Sequence, residues 1–152
     1  AKDDKGLQDA LLELTGYDSF RLNQLNAIQH VLRGKSCLVI LPTGSGKSLC
    51  YQLSAFMFRK VGGLGLTLVI SPLVSLMDDQ LLNLPKVLVG ACLNSNMTER
   101  QRDAVKLRLN KLDVLFVSPE LAISASFLYM LMSKSVRVQC ACVDEVHCIS
   151  EW

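Results

Sequence analysis

Short apolar runs alternate with longer mixed segments along most of the chain. The runs are rich in Val, Leu and Ile and show little of the apolar–polar alternation expected of a half-exposed strand. Strands that are buried on both faces, as in a parallel sheet, have this pattern. The pattern predicts strands over residues 37–41, 66–70, 87–93, 114–117 and 136–143.

The longer segments between these runs have the length and composition of helices. A capping box formed by Thr98 and Gln101 marks one helix start. Strands that alternate with helices indicate an α/β fold with a mostly parallel sheet and right-handed crossovers. Because ligands of such sheets gather at the carboxyl ends of the strands, the residues after each strand are the candidates for function. We predict helices over residues 6–14, 24–32, 48–58, 74–84, 98–110 and 121–132.

A glycine-rich turn follows the first predicted strand and precedes a helix. Gly44 and Gly46 permit a tight backbone whose N–H groups face a phosphate, and the helix N-terminus favours negative charge. Lys47 can reach the outer phosphates of a nucleotide, and the Ser48 hydroxyl can bind Mg²⁺. A turn that only connects strand and helix is the simpler alternative, and the Gly-Lys-Ser sequence argues against it. We therefore predict a nucleotide site at Thr43, Gly44, Ser45, Gly46, Lys47 and Ser48.

An acid pair follows the last predicted strand. Asp144 would hold Mg²⁺, and Glu145 would orient and deprotonate the attacking water. His147 would link this site to a neighbouring element. Taken alone, such a pair is more often a solvated turn. The glycine-rich turn in the same chain favours the second half of an NTPase site instead.

Composition narrows the class of protein further. The chain has 152 residues and is half apolar, which suits one domain with a substantial core. Its net charge of +2 does not by itself indicate a polyanionic partner, so any contact with nucleic acid would depend on the local arrangement of residues. The six cysteines form no metal-binding spacing, and those at 37, 140 and 142 lie in apolar runs. With no long apolar segment, these features predict a reduced, intracellular protein outside the membrane.

A series of motifs occupies residues 20–24, 41–48, 71–80, 118–120 and 144–152. Together these motifs resemble the RecQ family of DNA helicases, which belongs to superfamily two and carries a DExH box. The chain lacks the first glycine of the general P-loop pattern, as helicases of this superfamily usually do. It departs from the family at Leu22 (commonly proline), Val146 (alanine) and Glu151 (glutamine). The segment around residues 77–80 resembles the eukaryotic branch that includes the Rothmund–Thomson syndrome helicase.

This resemblance implies a RecA-like first motor domain that uses ATP and Mg²⁺. It implies that residues 1–152 are C-terminally truncated, and that the same longer chain supplies a second RecA-like domain. We therefore expect this piece alone to have little activity. The family acts on single-stranded and duplex DNA, moves 3′ to 5′, and serves DNA repair, recombination or replication in the nucleus of eukaryotes. Tyr17, Arg21 and Gln24 would hold the adenine, although their spacing alone indicates an ordinary helix start.

Two Ser-Pro pairs follow predicted strands. Serine favours the N-cap and proline the first helical position, so each pair predicts a helix N-terminus that can bind phosphate. In the family these segments track the DNA backbone, while capping alone is the simpler interpretation. We predict DNA contacts at Ser71, Pro72, Ser75, Gln80, Ser118, Pro119 and Trp152. The aromatic residues Phe56, Phe58, Phe116, Phe127 and Tyr129 are expected to pack internally.

Two other functions remain open at this point. The first is an RNA helicase, against which the segments at residues 20–24 and 144–152 argue. The second is a nucleotide-binding module without catalytic activity. Intact Lys47, Ser48, Asp144 and Glu145 argue against it.

Overall fold

A computed structural model describes residues 2–16, 47–60 and 65–143 of the chain. The predicted strand at 37–41 and the predicted helix at 24–32 lie outside these residues. The elements in chain order are α1 (Lys2–Thr15), α2 (Lys47–Lys60), β1 (Leu66–Ile70), α3 (Val74–Leu82), β2 (Gly90–Leu93), α4 (Glu99–Leu107), a 3₁₀ turn (Leu109–Lys111), β3 (Val114–Val117), α5 (Pro119–Ala122), α6 (Ala125–Ser133) and β4 (Val138–Val143).

The four strands form one parallel sheet in the order β2-β3-β1-β4. Val117 of β3 pairs with both Leu93 of β2 and Ile70 of β1, and Ile70 also pairs with Val143 of β4. The carboxyl ends of all four strands are therefore level along one edge. The predicted α/β fold with a parallel sheet is confirmed.

Side chains of the sheet pack into two apolar layers, one on each face, because successive residues of a strand point to opposite faces. Val69 and Phe116 join the layer that contains α1, α2 and α3. Leu68 and Leu115 join the opposite layer, with α4, the 3₁₀ turn and α6. Both central strands are thus buried on both faces, which explains why their sequences are apolar except at Thr67.

Helix α2 is held firmly on the first face. Leu53 is fully buried, and the Tyr51 ring meets Phe116 edge-on with 5.7 Å between centroids. At its far end Arg59 forms an ion pair with Asp113 at 2.7 Å, and Lys60 pairs with Glu13 of α1. The predicted helix at 48–58 is confirmed and is longer at both ends.

Two predicted helices end or break earlier than expected. The Thr98–Gln101 capping box is confirmed, but α4 ends at Leu107 and continues only as the 3₁₀ turn. The predicted helix at 121–132 is two helices, because the Ser124 hydroxyl accepts a hydrogen bond from the Phe127 N–H and so starts α6 anew.

Two further predictions need correction. The strand predicted at 87–93 begins only at Gly90, because a turn precedes it in which the Leu88 N–H donates to Pro85. Tyr129 does not pack internally: it lies on the outer face of α6 and is 74% exposed. Phe56 and Phe127 are buried as predicted.

Candidate functional site

The carboxyl edge of the sheet brings the two Ser-Pro pairs side by side. Ser71 follows β1, and its N–H donates to the Val117 carbonyl at 3.1 Å. Ser118 follows β3, and its N–H donates to the Leu93 carbonyl at 3.2 Å. The ladder hydrogen bonds therefore continue one residue beyond the strands. Residues 47 positions apart in sequence become neighbours at this edge.

The hydroxyl groups of these two serines face inward. Ser71 is 0% and Ser118 is 3% exposed. Neither Oγ has a hydrogen-bond partner among the residues that the structure describes. A buried hydroxyl that has no partner costs about 1–3 kcal/mol. In this arrangement neither hydroxyl is open to a ligand from solvent.

The expected capping holds for one Ser-Pro pair and fails for the other. Ser118 is the N-cap of α5 and Pro119 its first residue, although the serine side chain forms no capping hydrogen bond. Ser71 is not an N-cap, because α3 starts at Val74 with Leu73 as its N-cap.

The other predicted DNA contacts differ in their accessibility. Ser75 is exposed in the first turn of α3, whereas Pro72 and Gln80 are half-buried. Pro119 is buried. Ser75 is therefore the predicted contact most open to solvent in the described part of the edge.

Asn94 at the end of β2 belongs to the same edge and was not among the predicted site residues. It is 3% exposed, and its Oδ1 accepts the Asn96 N–H at 3.0 Å. This hydrogen bond shapes the turn after β2. The rule that applied to Ser71 and Ser118, a polar residue directly after a buried strand, also points to Asn94.

Helix α2 provides the described part of the predicted nucleotide site. It begins at Lys47, directly after Gly46 in sequence, and carries no acidic residue in its first turn. Ser48 is half-buried in that turn. The positive end of the helix dipole is therefore not neutralised by a side chain of its own first turn, which suits a phosphate group.

Most of the other predicted site residues lie outside the described residues. Within residues 2–16, 47–60 and 65–143, no three His, Cys, Asp or Glu side chains form a group that could hold a metal ion. None of the described helices is long and apolar enough to cross a membrane. The predicted residues outside the described ranges are Tyr17, Arg21, Gln24, Thr43, Gly44, Ser45, Gly46, Asp144, Glu145, His147 and Trp152, together with the Lys47 side chain.

A comparison with protein families matches residues 21–152 to the DEAD/DEAH box helicases. The chain belongs to this helicase family. Among curated proteins, it is 46% identical to the mouse ATP-dependent DNA helicase Q4 over 93% of its length, and 46% identical to ATP-dependent DNA helicase Q-like 5 of Arabidopsis thaliana over 98%. It is 41% identical to ATP-dependent DNA helicase RecQ of Synechocystis over 99%. These relatives confirm the resemblance to RecQ helicases.

The chain spans 12%, 16% and 31% of the lengths of these three relatives, so it corresponds to one part of each. Solved helicase structures share its fold. The DUF1998 helicase MrfA bound to DNA and AMPPNP matches with a TM-score of 0.69 at 22% identity, over 93% of this chain and 21% of that one. A hypothetical ATP-dependent RNA helicase from Sulfolobus tokodaii matches with a TM-score of 0.63 at 22% identity, over 97% and 43%. At this identity the likeness establishes the RecA-like helicase fold alone.

Proposed function

We propose that the chain is the ATP-binding motor domain of a RecQ-type DNA helicase, in which ATP hydrolysis drives movement along DNA and unwinding of the duplex. One observation carries this proposal. The strand order places β1, which leads into Ser71, directly between β3, which leads into Ser118, and β4, which leads into Asp144 and Glu145. A DNA-contacting pair and a hydrolytic pair would thus share one edge of one sheet.

The residues that precede and begin α2 would hold the triphosphate. Backbone N–H groups of residues 43–46 would surround the phosphates, and Lys47 would stabilise the charge that develops during transfer. Ser48 and Asp144 would hold Mg²⁺, which neutralises phosphate charge when bound. The half-buried Ser48 in an acid-free helical turn fits this role. Glu145 would orient and deprotonate the water, and His147 would link the site to a neighbouring element.

The adenine would lie against Tyr17, Arg21 and Gln24, because an amide can pair with the N6 and N7 edge of adenine. Arg21 and Gln24 belong to the RecQ-like segment 20–24, and Tyr17 lies just before it, which supports this assignment.

The DNA strand would lie across the ends of β1 and β3. Ser75 offers an exposed hydroxyl there, and the buried Ser71 and Ser118 hydroxyls would gain a phosphate partner if the edge opened during the ATPase cycle. Pro72, Gln80, Pro119 and Trp152 would complete this face. Because phosphates carry no base information, the contact would be independent of sequence.

Further properties of the whole protein are proposals that rest on its likeness to the RecQ relatives. We propose 3′-to-5′ movement, a second RecA-like domain that completes the ATP site, and a role in DNA repair, recombination or replication. We also propose a nuclear location, as the resemblance to the eukaryotic branch of the family implies.

The test uses the full-length protein and its ATPase activity. Lys47→Ala should lower turnover by roughly 100- to 1,000-fold, since one such electrostatic contact is worth about 3–4 kcal/mol. Lys60→Ala, at the exposed far end of the same helix, is the matched control and should stay near wild type. Wild-type turnover in the Lys47 variant would refute the nucleotide site.

Glu145→Gln separates catalysis from binding. This variant should still bind ATP with Mg²⁺ and should not hydrolyse it, whereas loss of binding would contradict the base role. Stimulation of the wild-type ATPase by single-stranded DNA, measured beside RNA, tests the nucleic acid. Stronger stimulation by RNA would favour an RNA helicase, and no turnover with either would favour a non-catalytic module.

A further inference from the structure

Strand β4 carries two thiols on one face. Cys140 and Cys142 are two residues apart, so their side chains point to the same side of the sheet. Their sulfur atoms are 3.7 Å apart. Cys140 is 8% exposed and Cys142 is half-buried. The apolar sequence around Cys140 and Cys142 suggests that they act only as small apolar side chains. Two thiols in contact can also react with each other.

The backbone spacing of this pair lies at the limit of what a disulfide spans. Residues two apart on a strand have Cα atoms about 6.6 Å apart, while disulfide-linked Cα atoms are about 4.4–6.8 Å apart. A disulfide between Cys140 and Cys142 can therefore form. If the two Cα atoms then moved toward the separation usual for a disulfide, β4 would become shorter. Dithiol and disulfide would then correspond to two different lengths of the same strand.

The position of the pair makes such a change consequential. Cys140 pairs with Thr67 and Cys142 with Val69 on β1, and β4 ends at Val143, directly before Asp144. Shortening β4 would shift its register against β1 and move the chain that enters the acid pair.

We infer that Cys140 and Cys142 form an oxidative modification site, where peroxide converts the dithiol into a disulfide that reversibly lowers ATPase activity. This inference rests on the proposed ATPase function. One sulfur attacks hydrogen peroxide and becomes a sulfenic acid as the O–O bond breaks and water leaves. The second sulfur attacks the first, the S–O bond breaks, and a second water leaves. Two thiols and one peroxide thus give one disulfide and two waters.

The chain also contains a contrasting thiol. The hydrogen bond from Cys142 lowers the pKa of Cys140, while burial acts in the opposite direction. On β2, burial and, to a smaller extent, Asp78 raise the pKa of Cys92 to about 11. The Cys92 sulfur contacts the Met77 carbonyl at 3.6 Å. Since thiolates are the reactive form, Cys92 serves as a matched buried control.

The experiment treats the full-length protein with hydrogen peroxide and makes two separate measurements. Mass spectrometry of the unreduced peptide shows whether two hydrogens are lost and which sulfurs are joined. DNA-stimulated ATPase is measured before oxidation, after it, and after reduction with dithiothreitol. We expect a 140–142 disulfide and a roughly 10- to 100-fold reversible loss of turnover, the scale of an ångström-sized misplacement at a reaction centre.

Variants identify the responsible pair. Cys140→Ser and Cys142→Ala should keep their activity in peroxide, and Cys92→Ser should lose it as the wild type does. If serine at the buried position 140 prevents folding, the half-buried Cys142→Ala variant carries the test. Three outcomes would overturn the inference. The disulfide could join one of these thiols to Cys148, a 140–142 disulfide could form without loss of turnover, or the Cys142→Ala variant could lose as much turnover as the wild type. Absence of turnover in the reduced wild type would instead refute the proposed function, because the disulfide is detected by mass.

Discussion

The aromatic pair that joins α2 to the sheet offers a quantitative test of how this helix is held. Tyr51 and Phe116 meet edge-on at 87° with 5.7 Å between centroids, and Phe116 is fully buried on central strand β3. Since α2 begins directly after the glycine-rich turn, motion of this helix would move the predicted phosphate site. The perturbation is leucine at either position, which keeps an apolar side chain in the core and removes the ring-to-ring contact.

The expected size follows from burial and geometry. Edge-on aromatic pairs contribute about 0.5–1.5 kcal/mol beyond their buried area. A double-mutant cycle of Tyr51→Leu and Phe116→Leu should therefore give a coupling energy of that size. Phe116→Ala, which removes the whole ring from the core, should cost about 3–5 kcal/mol. The assay is hydrogen exchange of α2 amides in the full-length protein, because it reports the free energy of local opening.

A second cycle serves as the control. Phe127 is buried to the same degree as Tyr51 but packs on the opposite face of the sheet, in α6. Tyr51→Leu and Phe127→Leu should be additive within about 0.5 kcal/mol. Coupling near zero for Tyr51 with Phe116, or equal coupling in both cycles, would refute the claim that this ring contact fixes α2 on the sheet.

Three further predictions concern single side chains. Thr98→Ala should destabilise α4 by about 1 kcal/mol, because the Thr98 hydroxyl accepts a hydrogen bond from the Gln101 N–H, whereas Thr98→Ser should be nearly neutral. Hydrogen exchange of the α4 amides measures both effects. Asp113→Asn should cost about 1 kcal/mol in a urea titration, and less in high salt, because the carboxylate pairs with the half-exposed Arg59. The double variant Ser71→Ala, Ser118→Ala should have an unchanged or higher melting temperature, because neither hydroxyl has a partner in the described residues. In an anisotropy titration it should bind single-stranded DNA more weakly, and by a similar factor for different DNA sequences. A large loss of stability in that double variant would show that the hydroxyls have a structural role.

The strands were most predictable where the sheet buries them completely. The bounds predicted for β1 and β3 agree with the structure at both ends, because every residue of β3 and all but the last of β1 are buried. At the sheet's margins the apolar signal extends beyond the pairing. Val87 and Val89 are 44% and 39% exposed in the turn before β2, although the sequence presents them as strand residues. Side-chain hydrophobicity records burial on average, whereas a strand requires a partner at the right spacing.

The sequence indicates which polar residues follow the buried strands, but it does not indicate how those strands are arranged. A polar residue directly after an apolar run identifies Ser71 and Ser118, since each strand must end where its pairing ends. Nothing local in the sequence specifies that β1 lies between β3 and β4, because strand order depends on contacts between distant segments. The burial of both serine hydroxyls was likewise missed, since exposure depends on what covers the edge rather than on the residue's own neighbours.

The strand order supplies a physical route by which the two halves of the proposed motor could influence each other. Ile70 pairs with Val117 on one side and with Val143 on the other, so one residue of β1 touches the strand ends that precede Ser118 and Asp144. A shift of β1 along its axis would break ladder hydrogen bonds on both sides together, and buried polar groups oppose such partial loss. The three strand ends are therefore expected to move as one unit. A phosphate that engaged Ser71 would thereby bias the position of the acid pair.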